Sequence, residues 1–153
     1  MKAIIVDDEP MARMALRSIL KMHFPHVEVL AECKNVPEAV KQINDLRPQV
    51  VFLDIEMPEY TGFDLLNFFR PEHIDFEIIF VTAYNEYALR AFEISAVDYL
   101  LKPFDKNELE QALVKYERRN PGGHVADIEA LAHWVLHHKP SYQSAGWCSM
   151  AKS

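Results

Sequence analysis

Along the first 120 residues, short apolar runs alternate with stretches whose apolar positions recur at helical spacing. Lys2 to Val6 is the first apolar run, and a helix pattern follows from Pro10 to about His23, with Ala12, Leu16, Ile19 and Leu20 on one face. Val27, Val29, Ala31 and Cys33 alternate as in a half-buried strand. Asn35-Val36-Pro37-Glu38 supplies an N-cap, an early proline and an acid at the third helical position, so a second helix opens there with Ala39, Val40 and Ile43. Val50 to Leu53 is wholly apolar, Phe63, Leu66 and Phe69 mark a short third helix, and Ile78 to Val81 is the next apolar run. A fourth helix is predicted from about Glu86 to Glu93 and a fifth strand from Tyr99 to Leu101. Asp105 and Glu108 form a capping-box pair ahead of a fifth helix, where Leu109, Ala112, Leu113 and Tyr116 sit at i, i+3, i+4 and i+7.

Five strands each followed by a helix imply parallel pairing, because a parallel connection needs a crossover. The near-continuous apolar character of the strands places helices on both faces. The expected class is therefore α/β, a doubly wound five-stranded parallel sheet. From Pro121 the composition changes, with three of the four glycines and four of the seven histidines in the remaining stretch. This predicts a domain over 1–120 and a tail or linker over 121–153, where Ile128, Leu131 and Val135 fit one amphipathic helix.

Composition narrows the function. Lys+Arg 16 against Asp+Glu 23 gives a net charge of −7, the wrong sign for a surface that wraps nucleic acid. Acids follow the first apolar residues too soon for a signal peptide, and no apolar run approaches the roughly 20 residues of a membrane span. Cys33 and Cys148 lack metal-ligand spacing. A soluble, cytoplasmic protein is expected.

In an open parallel sheet, ligands bind outside the carboxyl ends of the strands. Strand one ends in Asp7-Asp8-Glu9, strand three in Asp54, strand four in Thr82 and strand five in Lys102-Pro103. Taken singly, each has a bland reading as an N-cap, a strand-end residue or a solvated charge. Together at one edge, the carboxylates repel unless a cation joins them, and oxygen-only ligands favour a hard ion such as Mg²⁺. Lys102 adds a positive charge suited to a phosphoryl group.

The pieces IIVDDEP, VVFLDIEMPEYTGFDLL, IIFVTAY and DYLLKPF, over about residues 1 to 118, resemble the response-regulator receiver family in order and spacing. Gly62 falls eight residues after Asp54, where the family's pattern also has a glycine. NEYALRAFEISAVDYLLKPF further resembles receivers of the LytTR (LytR/AlgR-type) subgroup, which precede a DNA-binding domain. The resemblance implies a flavodoxin-like strand order, 2-1-3-4-5. It makes Asp54 the acceptor of a phosphoryl group from the phosphohistidine of a sensor kinase. Asp8 would bind Mg²⁺ directly, Asp7 through water, and Asp54 and the backbone carbonyl of Glu56 would complete the protein ligands. Thr82 would hydrogen-bond a phosphoryl oxygen, Ala83 would admit it, Tyr99 would turn inward behind Thr82, and Lys102-Pro103 would be cis. Phosphorylation would promote a homodimer through the fourth helix, fifth strand and fifth helix, where Glu86, Arg90, Asp98, Lys106 and Arg118 supply both signs of charge.

Other classes fit less well. A Mg²⁺-dependent phosphohydrolase often carries an Asp-x-Asp pair, whereas this chain has Asp7-Asp8 and Asp54-Ile55-Glu56. A flavodoxin-like carrier would need a phosphate-cradling loop where Asp7-Asp8-Glu9 stands. Residues 121–153 do not resemble a LytTR-type domain, so DNA would be reached only through an output domain outside this sequence. A stand-alone receiver acting by protein contacts is the remaining alternative.

Overall fold

The structure is a computed structural model and describes residues 1–121. The expected tail helix, with Ile128, Leu131 and Val135, lies outside the described residues.

Five parallel strands, β1 (Lys2–Val6), β2 (Glu28–Cys33), β3 (Val50–Leu53), β4 (Glu77–Thr82) and β5 (Asp98–Leu101), form one sheet of order β2-β1-β3-β4-β5. The flavodoxin-like α/β expectation holds. The connections carry α1 (Pro10–His23), α2 (Val36–Leu46), a 3₁₀ segment (Gly62–Phe68), a shorter 3₁₀ turn (Pro71–His73) and α3 (Ala88–Glu93), and α4 (Lys106–Arg119) follows β5.

Helix ends follow local chemistry. The Asn35 side chain accepts from Glu38 N at 2.8 Å and opens α2, and Arg47, at φ 49°, closes it ahead of Pro48. Asp105 and Glu108 form the reciprocal capping box of α4, at 2.8 and 3.2 Å. The central strands β1, β3 and β4 are buried on both faces, while the edge strands β2 and β5 are mostly half-buried. Ile4, Val6, Val51, Leu53, Ile78 and Phe80 pack with Val36, Ala39 and Ile43 of α2 and with Ala91 of α3. On alternate positions, Ile5, Phe52 and Val81 line a cavity with Ala12, Leu16 and Ile19 of α1.

Three expectations need correction. The third helix is a 3₁₀ segment: Thr61 and Asp64 form a capping box at its start, and Arg70, held extended before Pro71, follows its end. The fourth helix begins at Ala88, two residues late, because Ala83 to Tyr87 form a loop tied to other elements. The alternation of β2 is broken, since its register against β1 shifts between Ala3 and Ile4, which leaves Leu30 as an extra residue. Leu30 and Ala31 therefore both pack against the core.

Candidate functional site

Sheet hydrogen bonding runs one residue past the strands at their carboxyl ends. Asp7 N donates to Cys33 O (3.0 Å), Asp54 N to Val6 O (2.9 Å) and Lys102 N to Thr82 O (2.7 Å). With the strand order 1-3-4-5, this sets Asp7, Asp54, Thr82 and Lys102 side by side along one edge. The four residues that strand-end reading singled out are brought together, although Asp7 and Lys102 are 95 positions apart.

Lys102 Nζ lies 2.7 Å from Asp7 Oδ2 and 3.5 Å from Asp54 Oδ2. The other oxygens take backbone donors: Asp7 Oδ1 accepts from Glu9 N (2.9 Å), and Asp54 Oδ1 from Ile55 N (2.7 Å). Asp7 and Asp54 are buried, and Asp8 is half-buried. One oxygen from each of the three acids lies within 4.8 Å of the others. Burial and the neighbouring Asp7 charge push the Asp54 carboxyl above its ordinary value, while Lys102, Thr82 and the Ile55 amide oppose this. Burial alone would lower the Lys102 ammonium, but its Asp7 bond and the Asp54 charge outweigh that and raise it. The site is thus a cluster of oxygen donors with more negative charge than its single lysine neutralises, and it could hold a hard metal ion.

Thr82 is fully buried, and its Oγ1 accepts from Tyr84 N at a long 3.5 Å. Tyr99 is half-buried, packs its ring against Phe80 at 6.2 Å and donates its hydroxyl to the Tyr84 carbonyl. Ala83 is exposed, and the Lys102-Pro103 peptide is cis. The Glu56 carboxylate stands apart from the gathered acids and accepts from the Tyr87 hydroxyl at 2.9 Å.

Two contributors, Arg13 and Tyr87, escaped the sequence reading, and a third, Gly62, was marked there without its physical reason. A Cβ on Gly62 would lie 2.3 Å from the Asp54 carbonyl oxygen, so the chain returning behind Asp54 admits no side chain there. The spacing from Asp54 flagged this glycine without its reason. Arg13 Nη1 donates to the Asp7 carbonyl at 2.6 Å, and its Nε lies 3.5 Å from Glu32, which ties α1 to the end of β1. Tyr87 spans two loops. Nothing in the pattern of residues marked Arg13 or Tyr87, since both act through a contact between separate elements.

Of the charges expected at a dimer face, Asp98 pairs within the chain with Lys115 (3.1 Å), and Arg90 lies over the Phe63 ring, 4.3 Å from its centroid. No helix among the described residues is long and apolar enough to cross a membrane.

Comparison with known proteins agrees with this architecture. Residues 3–114 match the model of the response regulator receiver domain. Transcriptional regulatory protein BtsR of Escherichia coli (strain K12) is 46% identical over 114 residues, covering 74% of this chain and 47% of BtsR. An uncharacterized response regulatory protein of Yersinia pestis is 48% identical over 118 residues, covering 77% of this chain and 49% of that protein. The chain thus spans about half the length of these relatives. Among solved structures, a LuxR-family DNA-binding response regulator from Staphylococcus aureus has a TM-score of 0.68 at 34% identity, covering 75% of this chain and 97% of that one. The REC domain of AraT, a response regulator from Geobacillus stearothermophilus, also scores 0.68, at 32% identity, covering 77% of this chain and 93% of that one. With the 2-1-3-4-5 sheet, the acidic edge and this match over most of its length, the chain belongs to the response regulator receiver family.

Proposed function

We propose that this receiver is a phosphorylation-activated switch in which Asp54 takes a phosphoryl group from the phosphohistidine of a sensor histidine kinase. The observation that carries the reading is the gathering of Asp7, Asp8 and Asp54 beside a single lysine at the carboxyl edge of a receiver sheet. An Asp54 carboxylate oxygen attacks phosphorus, the phosphorus–nitrogen bond to the kinase imidazole breaks, and an acyl phosphate forms. Asp8 directly, Asp7 through water, Asp54 and the Glu56 backbone carbonyl would hold Mg²⁺. When bound, the ion supplies neutralisation of charge on the transferring group. Lys102, beside the Asp54 carboxylate, contributes positive charge, and the Thr82 hydroxyl donates to a phosphoryl oxygen.

Moving a two-state domain from 1:99 to 99:1 takes about 5.5 kcal/mol of differential interaction. A hydrogen bond to a charged group contributes about 1.5 to 3 kcal/mol, so Thr82, Lys102 and one or two backbone amides suffice. Tyr99, tied to the Tyr84 carbonyl, carries the change toward α3, β5 and α4. There Leu89 and Phe92 stand 71% and 80% exposed, a surface suited to a second phosphorylated copy.

The receiver occupies 1–120, with 121–153 following as tail or linker, and works in the cytoplasm as a non-enzymatic regulator. Its relatives named as transcriptional regulators support an output that acts on transcription, and the sequence around its fifth strand is the sole support for an output of LytTR type. Incubation with acetyl phosphate and Mg²⁺ should add one phosphoryl group by mass spectrometry, lost in Asp54→Ala and in excess chelator. Addition that persists in Asp54→Ala overturns the reading.

A further inference from the structure

We propose that Tyr87 is a positioning residue of the acceptor site, holding the Glu56 carboxylate to one side of the site's mouth and away from an incoming anionic phosphodonor. The inference rests on the assignment of Asp54 as acceptor. Glu56 lies two residues after Asp54, is exposed, and among the described residues takes its side-chain hydrogen bond from Tyr87 alone. Tyr87 is fixed without reference to Glu56. Its ring meets Phe63 edge-on at 6.0 Å and Tyr84 at 6.4 Å, and its carbonyl accepts from Ala91 N at 3.0 Å as α3 begins. A phenol presented from these contacts can set the place of an exposed carboxylate whose side chain has no other hydrogen-bond partner among the described residues. The phenol's ionisation is pushed up first by the Glu56 hydrogen bond, as expected for a donor held against a carboxylate.

The consequence is electrostatic. Asp7, Asp8 and Asp54 already exceed the one lysine, Lys102, that neutralises them. A released Glu56 would add a further negative charge to the same mouth, which repels a phosphodonor and attracts a divalent cation. Those two effects have opposite signs. A general loosening of the site would weaken both reactions, so the pair of measurements separates positioning from mere structural support.

The experiment uses the full chain in four forms: unmodified, Tyr87→Phe, Glu56→Gln and the double variant. Phenylalanine keeps the ring contacts and removes only the hydroxyl. At low ionic strength and saturating Mg²⁺, Tyr87→Phe should slow phosphorylation by acetyl phosphate roughly five-fold. In calorimetric titration with Mg²⁺ alone, without donor, the same variant should bind the ion a few-fold more tightly. Both changes should disappear in the double variant and shrink near 1 M salt, where screening acts within about 3 Å. Unchanged values in Tyr87→Phe, or weaker binding together with slower phosphorylation that Glu56→Gln does not rescue, would overturn the proposal. If the unmodified chain takes no phosphoryl group on Asp54, the acceptor assignment falls. The Mg²⁺ titrations then still decide whether Tyr87 holds Glu56 off the acid cluster.

Discussion

At the amino edge of the sheet Gln49 Oε1 accepts from Lys2 N at 2.8 Å, and Glu77 meets Arg119 at 3.4 Å and Asn120 at 3.0 Å, all with access to water. At the carboxyl edge of the same strands, Asp7 and Asp54 are buried around one lysine, with Asp8 beside them. At the first edge Glu77 has two donors and solvent to screen it. The second edge keeps an excess of negative charge out of water, an arrangement that costs stability unless a cation or a reaction relieves it. The contrast teaches where to look: polar groups that close a sheet economically are structural, and polar groups held in unrelieved repulsion are candidates for chemistry.

The largest effect should come from removing the lysine shared by the two buried carboxylates. Lys102→Ala should destabilise the domain by about 3 kcal/mol, as expected when one partner of a buried ion pair is lost. Adding Asp54→Asn to the same chain should recover a substantial part of that loss in urea denaturation. Additive effects of the two substitutions would mean that the lysine and the acid are not coupled.

Gly62→Ala should cost about 2 kcal/mol, because the new methyl must displace backbone behind Asp54. Its phosphorylation rate should fall too, whereas an alanine that folds and reacts like the glycine would show that the close approach is dispensable.

Asp54→Asn alone should have the opposite sign and raise the thermal midpoint at pH 7 by roughly 4 °C. In the folded chain the Asp54 carboxyl lies above its ordinary 3.8 through burial and Asp7. Between 3.8 and the raised value the folded state binds more protons than the unfolded one, so this group's contribution is full below 3.8 and declines as pH rises through the folded value. The variant's advantage should therefore grow across that window and level off above it. Mg²⁺ should narrow the difference by stabilising the unmodified chain. An advantage that is independent of pH would exclude relief of the Asp54 charge as its cause.

The smallest effect belongs to the amino edge, where Glu77→Gln should change stability by less than about 0.5 kcal/mol, as for exposed ion pairs. A cost comparable to that of Lys102→Ala would remove the distinction between the edges.

Much of this was legible in the chain itself. The bounds of β1 and α1, Lys2–Val6 and Pro10–His23, follow from an apolar run and a helical repeat, and the caps at Asn35 and Asp105 are set by residues three positions apart. Such features depend on neighbours in sequence, so local pattern determines them. The candidate set Asp7, Asp54, Thr82 and Lys102 was also readable, because a parallel sheet displays the residues that follow its strands on one edge. Pattern misjudged the Phe63 region, where the apolar spacing suits either helix type and the cap at Thr61 and the proline at 71 favour the tighter one. It missed the extra residue at Leu30, which only pairing with β1 reveals. Tertiary structure alone decided that one ammonium is shared by two buried carboxylates, that Arg13 grips the Asp7 carbonyl, that Gly62 must lack a side chain, and that Tyr87 reaches Glu56. Each of these depends on distances between segments far apart in the chain, and those distances exist only once the sheet has assembled and the loops have closed over its edge.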